Sequence, residues 1–458
     1  MRDARPDRKG ATPAGVIEDG ARTTRPPRDV PTDEHRPPTG TLGDRGAPAL
    51  LAAFPVNVVV PLPSAAVAVG RAWLAAAGLN DTKVSTNHLC LTRAGGRLQV
   101  EDVGSRNGTW LDGHRLPARE PVPLEDGSVL RVGETLLVYR ETYAGRAAPE
   151  PAIGGLAGPW GLRAAREELD RLARRPVRNV LITGESGTGK EMLAEAVVQA
   201  LGRSRGPFTR VNVAGIVASV FEGQLFGWER GAFSGSAASN PGLLRASAGG
   251  AVFLDEIGEL PVELQPKLLR VLENQEVLAV GATQPARVDI AVVAATNRPL
   301  DEAVQQGRFR LDLLARFPVR IALPPLRERP EDVFAILRAL WERSYGPLDL
   351  ARVRVDVEAV ELMMLHDWPA NARGVDRLVA AANPATGLKL SIVEQVLGVR
   401  AAAAAAPPPT REAILEALEA CGNNQVQAAK RLGLSRAQLV RRLRAFRNES
   451  GERPSRKR

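Results

Sequence analysis

The run GESGTGKE, Gly184 to Glu191, decides how the middle of this 458-residue chain is read. Before it, NVLIT (179 to 183) has the character of a short buried strand, and after it EMLAEAVVQAL (191 to 201) repeats its apolar residues at helical spacing. A glycine-rich turn between a strand and a helix can cradle a phosphate. Glycines let the backbone wrap closely, free N–H groups and the positive end of the helix meet the anion, and Lys190 adds a point charge for the outer phosphates. The cradle comprises Gly184, Glu185, Ser186, Gly187, Thr188, Gly189, Lys190 and Glu191. Glu191 stands where a Ser or Thr hydroxyl usually meets magnesium.

A second element supplies acid. AVFLDEIGEL (251 to 260) is an apolar strand that ends in Asp255 and Glu256, at the edge where parallel sheets place their sites. Asp255 is expected to hold Mg2+, directly or through water, and Glu256 to polarise an attacking water as general base. The expected ligand is ATP with Mg2+.

Composition bounds the rest. With 44% hydrophobic and 25% charged residues the chain reads as a soluble, modular protein of two or three domains. No stretch approaches the roughly 18 uninterrupted apolar residues of a membrane helix, and no apolar core follows the N-terminal arginines before Leu50. No membrane span or secretory signal is expected, and the cytoplasm is the expected compartment. Cys90 and Cys421, each alone among apolar neighbours, exclude a disulfide framework and read as core residues. Residues 428 to 458 hold eleven Lys or Arg against Glu449 and Glu452, which accounts for the whole net charge of +9. Charge alone leaves a nucleic-acid contact and a solvated tail equally open.

Along the chain, residues 1–48 are rich in Pro, Arg, Asp, Thr and Gly and read as a disordered arm. Residues 49–145 carry short β-type runs, VNVVV (56 to 60), AVAV (66 to 69), RLQVEDV (97 to 103), VLRV (129 to 132) and TLLVY (135 to 139), and read as an all-β sandwich. Residues 156–325 alternate strand and helix patterns, 326–398 are helical, 399–410 form an Ala/Pro linker and 411–450 a small helical unit. The fold class expected is multidomain: an all-β sandwich, an α/β P-loop domain with a helical lid, and a small all-α unit.

GESGTGKE, GAFSGS (231 to 236), GGAVFLDEIGEL, LQPKLLRVLE, AATNRPL and LPPLRERPEDV together resemble the central domain of sigma-54-dependent transcription activators, over about residues 156 to 390. In that family the phosphate loop itself ends in Lys-Glu, which accounts for Glu191. The resemblance implies an AAA+ ATPase that assembles into a ring, here a homo-hexamer, with its site between subunits. It implies that Asn297 senses the γ-phosphate, that Asn212 holds the catalytic Glu256, that Arg310 and Arg316 are arginine fingers, and that Arg373 is the lid arginine on phosphate. It further implies that Gly231, Ala232, Phe233, Ser234, Gly235 and Ser236 form the loop that touches the sigma factor, with Ser234 for the family's Thr and Ser236 for its Ala.

Two flanking modules complete the pattern. Residues 413 to 446 space Ile414, Leu415, Leu418, Val426, Ala429, Leu432, Leu434, Leu439, Leu443 and Phe446 as three short helices sharing a core. AAKRLGLSRAQLVRRL reads as helix, turn, helix and is similar to the Fis-type helix-turn-helix, which favours the nucleic-acid reading of the basic end. Arg436 and Gln438, early on the recognition helix, are expected at base edges of double-stranded DNA, and Arg441, Arg442 and Arg444 at phosphates. GR (70 to 71), KVSTNHL (83 to 89) and DVGSRNGTWLDG (102 to 113) look like a forkhead-associated (FHA) domain, which binds phosphothreonine. Arg71 and Ser85 would then meet the phosphate and Asn107 the peptide backbone, with His88 structural.

The expected function is a sigma-54-dependent transcriptional regulator. It binds DNA, senses phosphothreonine on a protein partner or Ser/Thr kinase, and hydrolyses ATP to remodel sigma-54 RNA polymerase. The alternative is a DNA-bound, phosphothreonine-reading scaffold whose ATPase no longer activates transcription.

Overall fold

The computed structural model describes residues 46–146, 148–215, 218–232, 238–399 and 409–449. The expected arm (to residue 45), most of the 399–410 linker, and Phe233, Ser234, Gly235 and Ser236 lie outside the described residues.

Five parallel strands form the central sheet, in the order Phe208–Asn212, Ala251–Asp255, Ala291–Thr296, Asn179–Thr183, Val319–Ala322. Their apolar runs are nearly continuous because helices cover both faces. Val180 and Ile182 pack toward the helices Arg163–Arg174 and Lys190–Ala200, whereas Leu181 between them packs toward Ala218–Phe226 and Gln265–Asn274. The parallel register brings the carboxyl ends of three strands, with Thr183, Asp255 and Thr296, to one edge of the sheet. The lid follows as helices Val333–Tyr345, Val357–Leu365, Ala372–Ala381 and Leu390–Leu397.

The N-terminal module is a sandwich of two antiparallel sheets. One has six strands, in the order Val58–Pro61, Ala47–Phe54, Thr135–Tyr143, Val129–Val132, Thr109–Leu111, His114–Arg115. The other has four, Val67–Val69, Leu89–Ala94, Arg97–Asp102, Val122–Pro123. The strand Ala47–Phe54 is one the sequence reading did not place. In the six-stranded sheet Leu50, Ala52, Leu130 and Leu137 face the sandwich interior. Their neighbours Leu51, Ala53, Val129, Leu136 and Val138 join the core of the lid, with Phe334, Leu337, Val360 and Met364. The middle of the sheet is therefore buried on both faces, and these strands and the lid share one hydrophobic core. Phe54 meets Phe334 edge to face, with ring centroids 4.8 Å apart.

Charged groups fix that interface. Arg131 stacks 3.8 Å from the Trp110 ring centroid and donates to Glu361 at 2.7 Å and Glu358 at 3.2 Å. Arg140 bonds both carboxylate oxygens of the buried Glu331 at 2.7 Å. Bidentate guanidinium–carboxylate pairs hold both distance and orientation.

The C-terminal unit has helices Arg411–Ala420, Gln425–Arg431 and Arg436–Glu449 around Ile414, Leu418, Ala429, Leu434 and Leu439. Leu415 and Val426, expected in this core, are exposed, because the small Ala417 and Ala428 sit at the helix contacts instead. Cys90 and Cys421 are half-buried rather than core.

Burial holds the Glu361 carboxyl up at about 6, with Arg131 pulling the other way. Removing Arg131 strands a buried charge, which costs roughly 3 kcal/mol when the carboxyl is ionised. In the folded parent the carboxyl ionises only near 6, with Arg131 holding it down; without Arg131 it ionises higher still, so the cost is absent at lower pH, where both folded chains keep the proton, and grows as pH rises through and beyond about 6. Denaturant melts of Arg131→Ala against the parent chain across this range should therefore diverge as pH rises.

Candidate functional site

At the sheet edge the phosphate loop turns through Gly187 and Gly189, both with positive φ (78° and 101°). The Lys190 side chain is buried; its Nζ donates to the carbonyls of Gly184 (3.0 Å) and Glu185 (3.3 Å) and lies 3.7 Å from Glu256 Oε1. Thr188 Oγ1 donates to the Glu185 carbonyl at 2.8 Å and ties the turn together. Glu256 sits just past its strand with φ 55°, a left-handed conformation that a non-glycine residue adopts at some cost and that is often found at functional sites. Its Oε2 accepts the backbone N–H of Asn297 at 3.1 Å. Lys190, Glu256 and Asn297, from three different strand ends, thus converge at the mouth of the loop.

Asp255 closes its strand, and its Oδ1 accepts the Glu256 N–H at 3.1 Å. No cluster of three or more His, Cys, Asp or Glu among the described residues would hold a metal alone. A magnesium ion typically takes one or two carboxylates and completes its shell with phosphate oxygens and water, so Asp255 fits such an ion.

The lid reaches this loop directly. Asn371, fully buried, accepts the Leu326 N–H at 2.7 Å and donates to the Ser186 carbonyl at 3.0 Å, and the Ala372 N–H donates to the Gly187 carbonyl. Arg373 Nη1 donates to Ser186 Oγ at 2.9 Å. A Cβ on Gly187 would collide with the Ala370 carbonyl, so glycine is required by approach as well as by φ. Arg327 forms a two-pronged ion pair with Glu185 (2.6 and 2.9 Å). Arg327 first, then the Asn371 amide, hold the Glu185 carboxyl below the usual range against its partial burial. Sequence reasoning missed Arg327 and Asn371. Their only signal was membership of LPPLRERPEDV and WPANARGV, since the partners lie more than a hundred residues away.

Other expected residues are placed differently. Asn212 Oδ1 accepts the Ala214 N–H at 2.8 Å, a local turn, and does not hold Glu256. Short polar side chains compete for nearby backbone donors in this way. Glu191 turns outward to Arg210 at 2.8 Å, so only its backbone belongs to the cradle. Arg310 and Arg316 flank the helix Leu311–Ala315 on the exposed surface, paired with Asp312 (2.7 Å) and Glu273 (2.5 Å). Gly231 and Ala232 are the described part of the expected sigma-contact loop, and Ala232 lies against Gly281.

In the sandwich, three loops converge. Arg71 donates through Nε to the Val84 carbonyl (2.9 Å), Ser85 Oγ accepts the Arg106 N–H (3.1 Å), and Asn107 Nδ2 donates to the Lys83 carbonyl (2.6 Å). Gly70 approaches the Thr86 carbonyl too closely for any Cβ. His88 is wholly buried: its Nδ1 accepts the Ser85 N–H, its Nε2–H donates to the Gly108 carbonyl, and burial pushes its pKa down. That is the structural role expected for it. Lys83 and Asn107 also line a cleft of about 550 Å³ whose far wall is lid, with Leu350, Arg354 and Val357.

On the recognition helix, Ser435 and Gln438 cap each other: the Gln438 N–H donates to Ser435 Oγ (3.2 Å) and the Ser435 N–H to Gln438 Oε1 (2.6 Å). Gln438 is only 4% exposed, so here its amide is bonded within the chain rather than presented to a base. The side chains of Arg441 and Arg444 lie outside the described residues.

Comparison with known proteins agrees with these three modules. Residues 160–322 match the sigma-54 interaction domain, 67–133 the FHA domain and 411–446 the Fis family of bacterial regulatory proteins. The chain is 35% identical over 333 residues to the DNA-binding transcriptional regulator NtrC of Rhizobium meliloti, covering 62% of this chain and 68% of that protein. It is 43% identical over 229 residues to the response regulator protein FleR of Pseudomonas aeruginosa, covering 49% of this chain and 48% of FleR, so it spans about half of that relative. NtrX from Brucella abortus, solved in complex with ATP, aligns at 27% identity over 64% of this chain and 69% of that one, with a TM-score of 0.47. With a sigma-54 interaction domain at its centre and a regulator relative matched over 68% of its length, the chain belongs to the sigma-54-dependent transcriptional regulators.

Proposed function

We propose that this protein acts in the cytoplasm as a ring of identical subunits, a hexamer, that binds DNA and hydrolyses ATP to remodel sigma-54 RNA polymerase. The observation that carries the reading is the meeting of Lys190, Glu256 and the Asn297 N–H at the mouth of the phosphate loop. A triphosphate entering there draws Lys190 to its outer oxygens and leaves Glu256 to take the proton of the attacking water. The Asn297 amide orients that water or a γ-phosphate oxygen. Magnesium, when bound, would neutralise charge on the phosphate oxygens, with Asp255 as its protein ligand. Arg373, already on Ser186, meets the phosphates from the lid side. Arg310 and Arg316 are exposed, and among the described residues their guanidinium groups pair with Asp312 and Glu273, which suits donation to the site of an adjacent subunit.

The sandwich supplies the input. Arg71, Ser85 and Asn107 suit a phosphothreonine peptide on a partner protein or kinase. A peptide seated there would continue into the cleft bounded by Leu350 and Arg354, so the lid takes part in its recognition. The output runs through the loop from Gly231 to Ser236, with Phe233 touching the sigma factor.

Lys190→Ala should abolish nucleotide binding, whereas Glu256→Ala should bind ATP with turnover reduced at least ~100-fold; equilibrium binding and phosphate release check both. Arg71→Ala should eliminate binding of a phosphothreonine peptide while its unphosphorylated form binds neither chain. The deciding assay is ATP-dependent open-complex formation by sigma-54 polymerase with the purified protein, lost in Phe233→Ala. ATP turnover without any open complex would instead favour a DNA-bound, phosphothreonine-reading scaffold.

A further inference from the structure

The start of the recognition helix Arg436–Glu449 does not stand free. Gln438 Nε2 donates to the backbone carbonyl of Asp112 in the sandwich at 3.0 Å, and the Arg436 N–H donates to Asp367 Oδ2 in the lid at 2.9 Å. Asp112 and Gly113 form a two-residue Asp-Gly hairpin turn, with φ of 52° and 82°, and Asp112 Oδ1 pins the turn by accepting the Val129 N–H at 2.9 Å. Gly113 lies against Leu365 of the lid. The charge of Arg436 reaches Glu185 in the phosphate loop, adding to the stronger effects of Arg327 and Asn371 there. Two elements distant in sequence, sandwich and lid, thus meet the first turn of one helix.

The chemistry of this contact matches that of a DNA backbone. A helix N-terminus receives anions through its free N–H groups, and such contacts to phosphate set the register of a protein on the duplex. Here the Asp367 carboxylate takes the Arg436 N–H, and the amide of Gln438 is spent on Ser435 and Asp112. We infer that the sandwich–lid junction around Asp112, Leu365 and Asp367 is a docking surface for the recognition helix of this chain, and that docking and duplex DNA exclude one another. The inference rests on the helix-turn-helix being the DNA reader. Its consequence is a tax on DNA affinity equal to the undocked fraction.

The test uses the full chain and a short random-sequence duplex, read by fluorescence anisotropy. Asp367→Asn, which keeps the shape and removes the charge, should tighten binding roughly three- to ten-fold, and Asp367→Lys at least as much. Affinities equal to the parent in both variants would overturn the inference, as would absence of duplex binding by parent and variants alike. Melting curves identify a misfolded variant. An independent arm is the double variant Asp367→Cys, Arg436→Cys: oxidation should form a disulfide and weaken duplex binding, with reduction restoring it, and failure to cross-link would contradict the docked position. Loss of binding in Arg441→Ala, Arg442→Ala tests the DNA-reading role itself, so its failure is distinguishable from failure of the dock.

Discussion

One constraint organises this molecule: the middle strands of the six-stranded sheet of the sandwich are buried on both faces. Leu50, Ala52, Leu130 and Leu137 fill the sandwich, and the alternating Leu51, Ala53, Val129, Leu136 and Val138 fill the lid. Separating the two modules would return an apolar sheet face and an apolar helical face to water together, at about 25 cal/mol for every Å² exposed. The FHA module is no tethered accessory. Here it is part of the body of the lid, and a movement of the lid carries it along.

The segment from Leu323 to Asp332 distributes that connection. Arg327 holds Glu185 of the phosphate loop, Glu331 holds Arg140 of the sandwich, and Asp332, fully buried, accepts the N–H groups of Trp160 and Gly161 at 2.9 Å each. Burial holds the Asp332 carboxyl up at about 6. Asn371 adds a second bridge from lid to loop. Nucleotide site, lid and sandwich are therefore joined by hydrogen-bonded and packed contacts, which is the physical form coupling between sites requires. The docked recognition helix lies at the same junction.

How much of this was legible follows from the range of each determinant. The phosphate loop and the acidic strand end were readable because glycine spacing and an apolar run ending in Asp255 and Glu256 are local signals. The same holds for the helix-turn-helix, where Gly433 turns with a positive φ of 67° and Ser435 caps the next helix without a distant partner. The double-faced burial of Ala47–Phe54 was not read, although its sequence, APALLAAF, is apolar without alternation and in that sense carried the information. Ala and Leu favour strands weakly, so the run did not declare its class. Arg327 and Asn371 were invisible for another reason: their roles exist only once residues far apart in sequence meet. Asn212 illustrates the converse, a side chain whose expected distant partner, Glu256, is replaced by a backbone group two residues away.

Nucleotide at the phosphate loop should therefore be felt in the sandwich through the lid. Hydrogen exchange on the intact protein, with and without a non-hydrolysable ATP analogue, tests it most directly. Amides of the lid helix Val357–Leu365 and of the sandwich strands Ala47–Phe54 and Thr135–Tyr143 should change protection together with those of Gly184 to Lys190. A change confined to the phosphate loop and its helix, with the sandwich strands unaltered, would contradict it.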